Sequence, residues 1–185
     1  MPDSNKKWEI LGREPVFQHP QMTLFLEKIR LPDGKIIPDW PHVAVKDYVN
    51  VLAMKNDGQF LIAKRYEHGG RRYAWQLVGD TLEEGEAPLD GGRRCLFVET
   101  GLECQNWYYL GSFVNDPQRY GGVGHLFFAH GVTVKEERLD DTWCWIGLDE
   151  LQQGVLDGRI SAMSYALTIS LALLACHQKR IAGQF

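Results

Sequence analysis

The sequence has little that would staple a chain or anchor it. Four cysteines, Cys95, Cys104, Cys144 and Cys176, are spread through 185 residues with no Cys-x-x-Cys pair. A chain of this length buries enough surface to hold a core without disulfides. Reduced thiols in a cytoplasmic setting are therefore the expectation. Long hydrophobic runs are missing too. The longest apolar stretch, Ala162 to Cys176, is interrupted by Ser164, Thr168 and Ser170 and is too short to span a bilayer. The opening Met1-Pro-Asp-Ser-Asn-Lys-Lys7 has no apolar stretch behind it, which predicts no signal peptide. There is no excess of positive charge: 20 Lys and Arg stand against 24 Asp and Glu, a net charge of −4. That balance argues against a protein that binds nucleic acid through its phosphate backbone. Neither a repeat nor a low-complexity tract is present. With 44% hydrophobic, 24% charged and 11% aromatic residues, the composition excludes disorder, collagen and coiled coil as the main reading.

What is present reads as strands followed by helices. Residues 8–45 are β-rich, with a strand predicted over Met22 to Leu31 and turn chemistry at Pro32-Asp33-Gly34. Pro38 and Pro41, with Trp40 between them, are expected to break regular structure. Tyr48 to Met54 and Gln59 to Tyr66 predict a hairpin around Asn56-Asp57-Gly58. His68 to Arg72 reads as a loop, Tyr73 to Val78 as a short extended segment, and Gly79 to Gly85 as an acidic loop. A helix should follow, with Pro88 in its first turn and Gly101 just past its end. Gly91 and Gly92 fall inside it, each costing about 1 kcal/mol against Ala. Trp107 to Val114, Gly124 to Val132 and Trp143 to Ile146 predict strands; Leu148 to Leu156 and Ala162 to His177 predict helices. The last is apolar nearly all round and should be buried. Only one of the three helices is placed to cross between parallel strands, so a regular doubly wound sheet is disfavoured. The fold class expected is α+β, a mixed β-sheet sandwiched between helices.

The segment from Gly79 to Leu102 carries the functional information. It resembles the Nudix box, whose pattern is G-x5-E-x7-R-E-U-x-E-E-x-G-U with U a bulky aliphatic residue. Glu86, Arg94, Leu96, Glu99, Gly101 and Leu102 stand in matching places. Three places depart: Asp80 stands where the opening Gly belongs, with Gly79 one residue early; Cys95 replaces the Glu after the Arg; Val98 replaces the first of the paired Glu. The flanks are similar to the ADP-ribose pyrophosphatase branch, in Leu61 to Tyr66, Trp75-Gln-Leu77, Trp107 to Gly111, Gly124 to Ala129 and Trp145 to Leu151. Pro117 lies near the place of the marker proline that this branch carries beyond its box.

The resemblance implies a Nudix fold over residues 45–185, with an N-terminal β extension over 1–44 that contributes to a homodimer. It implies hydrolysis of the diphosphate in an ADP-ribose-like or nucleotide-sugar compound, giving a nucleoside monophosphate and a sugar phosphate. The cofactor implied is Mg²⁺ or Mn²⁺, held in the family by three Glu on one helix face. A hard cation wants oxygen ligands, and a thiol is a soft one. Here the equivalent positions 95, 98 and 99 read Cys, Val, Glu. Losing one good ligand would cost about 3–4 kcal/mol of transition-state stabilisation.

Three readings of that face stand open. Cys95 and Val98 pack in the core and the metal site is degraded. Alternatively Asp80 and the Gly79 carbonyl, with Glu99, Glu83 or Glu84, rebuild an oxygen site. In the third, Cys95 is a soft-metal ligand or nucleophile. Glu86 and Arg94 are expected to pin the loop to the helix. Lys64, Arg65, His68, Arg71 and Arg72 form either a solvated hairpin end or a phosphate cradle, with Arg65 and Arg71 as candidate ligands of the substrate. Arg65 is the stronger because a guanidinium forks onto phosphate. Tyr66 and Trp75 either stack on a base or belong to the core. Glu136, Glu137, Asp140 and Asp141 form an acidic run that is either solvated or, through Glu136 or Glu137, positions the attacking water. His125 is expected to be packed or hydrogen-bonded. The competing function is a Nudix-fold module that binds a nucleotide without cleaving it. One of the regulatory kind, carrying its own helix-turn-helix, is disfavoured because residues 161–185 predict a single helix.

Overall fold

In the computed structural model, which describes residues 7–177, β-branched and aromatic residues fill six successive strands before the first helix. These are β1 (Glu9–His19), β2 (Met22–Arg30), β3 (Ile36–Val45), β4 (Tyr48–Met54), β5 (Phe60–Glu67) and β6 (Arg72–Gln76). Helix α1 (Pro88–Thr100) follows. Next come β7 (Leu102–Glu103), β8 (Asn106–Asp116), β9 (Tyr120–His130), β10 (Thr133–Val134) and β11 (Trp143–Ile146). Two helices close the described chain, α2 (Leu148–Leu156) and α3 (Met163–His177). The signal-peptide reading of residues 1–7 falls almost wholly outside the described residues. No described helix is long and apolar enough to cross a membrane.

The chain divides into two units, one of residues 1–47 with 114–123, the other of residues 48–113 with 124–185. In the first, β1, β2 and β3 form an antiparallel meander. The tip of the β8–β9 hairpin belongs to this unit through the pairing of Val43 with Tyr120. Pro38 and Pro41 do not break β3, contrary to the expectation. The β2–β3 register shifts between Glu27 and Ile29, opposite Pro38 and Asp39, so the missing N–H of Pro38 falls at the irregularity.

In the second unit β4 pairs parallel with β9 and antiparallel with β5, and β5 pairs antiparallel with β6 and β11. The sheet is mixed, as the order of elements predicts. Side chains alternate across it. Val49, Val51 and Ala53 pack with Cys95 and Leu96 of α1 on one face. Leu52, Met54, Phe60 and Ile62 pack with Leu151 of α2 and Ile169, Ala172 and Cys176 of α3 on the other. Phe60 and Phe128 are fully buried, each contributing roughly 1.5–3 kcal/mol relative to exposure. Helix α3 is not buried all round. One stripe, Thr168, Ile169, Ala172 and Cys176, is covered, while Met163 and Leu174 are exposed.

Candidate functional site

Helix α1 is bounded as the sequence predicts. Pro88 opens it, where a missing N–H costs no helix bond. Gly101 ends it in the left-handed region at φ 71°, its N–H donating to Phe97 O. A Cβ there would also run into the carbonyl of Glu136. Gly91 has a packing reason: a Cβ would collide with Leu82 and lie 3.2 Å from Glu86 Oε2. Leu82 and Glu86 belong to the preceding loop, so the glycine lets helix and loop touch. The same loop is clamped by Arg94. Its Nε donates to Glu86 Oε1 at 2.7 Å and its Nη2 to Glu86 Oε2 at 2.8 Å and to Thr81 O at 3.0 Å. The other Glu86 oxygen contact is the Glu83 N–H at 2.9 Å. The Arg94 guanidinium holds the Glu86 carboxyl down to about 2. Both residues thus join loop to helix.

The clamp sets Gly79 beside the last turn of α1. The Gly79 N–H donates to Glu99 Oε1 at 3.0 Å, and Arg65 Nη1 lies 3.5 Å from Glu99 Oε2. Only glycine fits at 79, because a Cβ would strike the Val49 carbonyl and sit 2.9 Å from Asn50 Oδ1. Burial raises the Glu99 carboxyl above its ordinary range, against the opposing pull of the Gly79 amide and Arg65. Cys95 is 2% exposed and packs in the core, and burial pushes its thiol up to about 11. Val98 does not join it: it is 58% exposed. The pairing of Cys95 and Val98 as core residues is therefore corrected for Val98. Two residues three apart on a helix lie about 60° apart around its axis, enough to put Cys95 under the helix and Val98 at the rim of the same face.

Arg65 is braced by Thr142 and Trp143, which sequence reading did not single out as site residues. Its Nε donates to Thr142 Oγ1 at 3.1 Å, and its guanidinium stacks over the Trp143 ring at 4.6 Å. Thr142 in turn donates to Asp140 Oδ1 through both N–H and hydroxyl. Nothing in the local sequence marks a Thr-Trp at a strand entry; the antiparallel pairing of β5 with β11 brings it there.

The other expected substrate ligands do not gather around Arg65. Period-two alternation along β5 sends Lys64 and Tyr66 to the opposite face. There Tyr66 lies edge-on to Tyr73, and Lys64 and Arg159 both lie over Trp75. Trp75 is buried in the core with Leu77 and Ile160. Arg71 is in the β5–β6 turn, exposed, at φ 51°. Pro117 is exposed at the tip of the β8–β9 hairpin, in the first unit. Glu136 is bound to Arg138 at 2.5 Å, while Glu137 is exposed and has no partner among the described residues. His125 Nδ1 lies 3.4 Å from the Tyr109 hydroxyl. Asp80 turns its carboxylate back onto Thr81, accepting from its N–H at 2.6 Å and its hydroxyl at 3.4 Å.

Comparison with known proteins agrees with this architecture. Residues 45–164 match the NUDIX domain family, and the chain belongs to it. The ADP-ribose pyrophosphatase of Bacillus subtilis is 27% identical over 128 residues, covering 69% of each chain. The methanol dehydrogenase activator of Bacillus methanolicus is 28% identical over 137 residues, covering 74% of this chain and 70% of its own. The crystal structure of an ADP compounds hydrolase superposes with a TM-score of 0.79 at 15% identity, covering 97% of this chain and all of the other, and shows the shared fold.

The donor set does not fit the family's divalent cation. Among the described residues no group of three or more His, Cys, Asp and Glu is placed to hold a metal ion. Of the three box positions, one offers a buried thiol, one an exposed isopropyl group, and one a carboxylate with both oxygens engaged. In the preceding loop Asp80 Oδ1 accepts from Thr81, and Glu83 and Glu86 face Arg94. Glu84 is exposed. An octahedral oxygen cage needs more than this.

Proposed function

We propose that the chain acts on the diphosphate of an ADP-ribose-like or nucleotide-sugar compound, hydrolysing it slowly to a nucleoside monophosphate and a sugar phosphate. The observation that carries this reading is the convergence of Arg65 and the Gly79 amide on Glu99. That convergence sits in a loop-helix unit whose Glu86–Arg94 clamp is intact. The Bacillus subtilis relative is an ADP-ribose pyrophosphatase, which supports the substrate class. In this reading Arg65 orients the diphosphate, with Thr142 and Trp143 fixing the plane of its guanidinium. Glu99 holds that guanidinium and the Gly79 loop in register. Glu137, exposed and without a partner among the described residues, positions the attacking water in this reading. A homodimer through residues 1–44 belongs to the same proposal, and the exposed Ile10, Val16 and Phe17 of β1 are the apolar surface it would cover. Gel filtration at several concentrations checks it.

A second reading has its own observation. With Cys95 buried, Val98 carrying no ligand atom and both Glu99 oxygens engaged, the site binds a nucleotide and does not cleave it. Single-turnover AMP release from ADP-ribose at high enzyme, with Mg²⁺ or Mn²⁺ supplied, separates the two. Release that falls in Glu99→Gln supports hydrolysis. A melting temperature raised by ADP-ribose without release supports binding alone. Neither release nor a shift overturns both.

A further inference from the structure

Where the family uses a doubly charged metal ion beside its diphosphate, this site presents a guanidinium. Arg65 Nη1 lies 3.5 Å from Glu99 Oε2, so the one remaining carboxylate of the metal face is already paired with a fixed cation. A divalent ion at Glu99 would have to displace Arg65 or sit beside its positive charge. It would find no second carboxylate at Cys95 or Val98 to offset either cost. Arg65 is also held in place before any ligand arrives. Thr142 Oγ1 accepts from its Nε at 3.1 Å, the Trp143 ring lies under its plane at 4.6 Å, and Asp140 fixes Thr142. A guanidinium carries five N–H donors, and Thr142 and Glu99 are its hydrogen-bond and ion-pair partners among the described residues. Donors remain for an anionic oxygen, in the fork geometry that suits phosphate. The Arg65 side chain is 33% exposed, so a ligand reaches it.

We infer that Arg65 takes the place of the divalent cation in this site, so that a nucleoside diphosphate of the ADP-ribose class binds without metal. This rests on the reading that the site takes such a diphosphate. The exchange is one of anions around a fixed cation: the phosphate oxygens engage the donors that Glu99 leaves unused, while Glu99 stays on the Gly79 amide.

The test is calorimetric titration of the full chain with ADP-ribose, once in EDTA and once in excess Mg²⁺. The dissociation constants are expected to agree within about twofold, a negligible free-energy difference. In EDTA, Arg65→Ala weakens binding by at least about tenfold, and Arg65→Lys, which keeps the charge but not the fork, falls between. Melting curves verify that each variant is folded, and Arg65→Lys serves if Arg65→Ala is not. Binding that tightens tenfold or more with Mg²⁺, or that is unchanged in a folded Arg65 variant, overturns the inference and leaves the proposed function standing. No binding in either buffer overturns the proposed function as well.

Discussion

Arg94 and Glu86 are joined by two parallel hydrogen bonds, Nε to Oε1 at 2.7 Å and Nη2 to Oε2 at 2.8 Å. This bidentate pair locks the loop of residues 79–87 onto α1, and through Gly79 it sets where Glu99 can reach. The pH dependence follows from the depressed carboxyl. Glu86 drops from 4.5 to about 2 on folding, so its contribution is complete above the unfolded value and is lost as pH falls through the folded one. Glu86→Gln should lower the melting temperature at neutral pH. The gap between wild type and variant should shrink as pH falls from about 5 towards about 2. A gap that stays constant over that range contradicts the assignment.

Gly79→Ala should be the most damaging small substitution in the loop. The new methyl meets the Val49 carbonyl and Asn50 Oδ1, which are backbone and buried side chain with no room to yield. A loss of about 1–3 kcal/mol in urea unfolding is expected, with weaker ADP-ribose binding because the Glu99 anchor moves. A loss below about 0.5 kcal/mol, within the range of neutral surface substitutions, contradicts the packing argument.

Cys95 should behave as a core residue and not as a nucleophile. Its thiol is buried and raised to about 11, so the reactive thiolate is scarce at neutral pH. Alkylation of the native protein with iodoacetamide, read by mass spectrometry, should leave Cys95 unmodified until denaturant is added. Rapid native labelling at this position would restore the reading of Cys95 as a reactive group.

Thr142→Val keeps shape and removes the acceptor for Arg65 Nε. Losing one hydrogen bond to a charged group is worth about 1.5 kcal/mol or more. ADP-ribose affinity should therefore fall roughly tenfold while the melting temperature changes little. Unchanged affinity would show that Arg65 does not need its brace.

The parts of this molecule legible in the sequence are those fixed by local chemistry. Pro88 and Gly101 delimit α1 because one lacks an N–H and the other accepts a positive φ. The turn at Asn56-Asp57-Gly58 works the same way, with Gly58 at φ 84° and Asp57 capping the Gln59 N–H. Glu86 and Arg94 were legible through the resemblance of residues 79–102 to the family's box, which implies that this pair joins loop to helix. What was not legible depends on contacts distant in the chain. Thr142 reaches Arg65 across 77 positions, through a strand pairing that no local pattern announces. Val98 and the outer residues of α3 carry apolar side chains into solvent, and only the packed structure tells which side of a helix is covered. Pro38 sits within β3 because the partner strand shifts register there.

The most direct measurement compares single-turnover AMP release from ADP-ribose by the wild-type chain and by Cys95→Glu/Val98→Glu, both with Mg²⁺. If the chain is a Nudix hydrolase slowed by the loss of two carboxylates, the double variant restores the oxygen donors. Release then rises at least about tenfold, an effect of about 1.4 kcal/mol. A folded double variant that binds ADP-ribose and releases no more AMP than wild type would contradict that account.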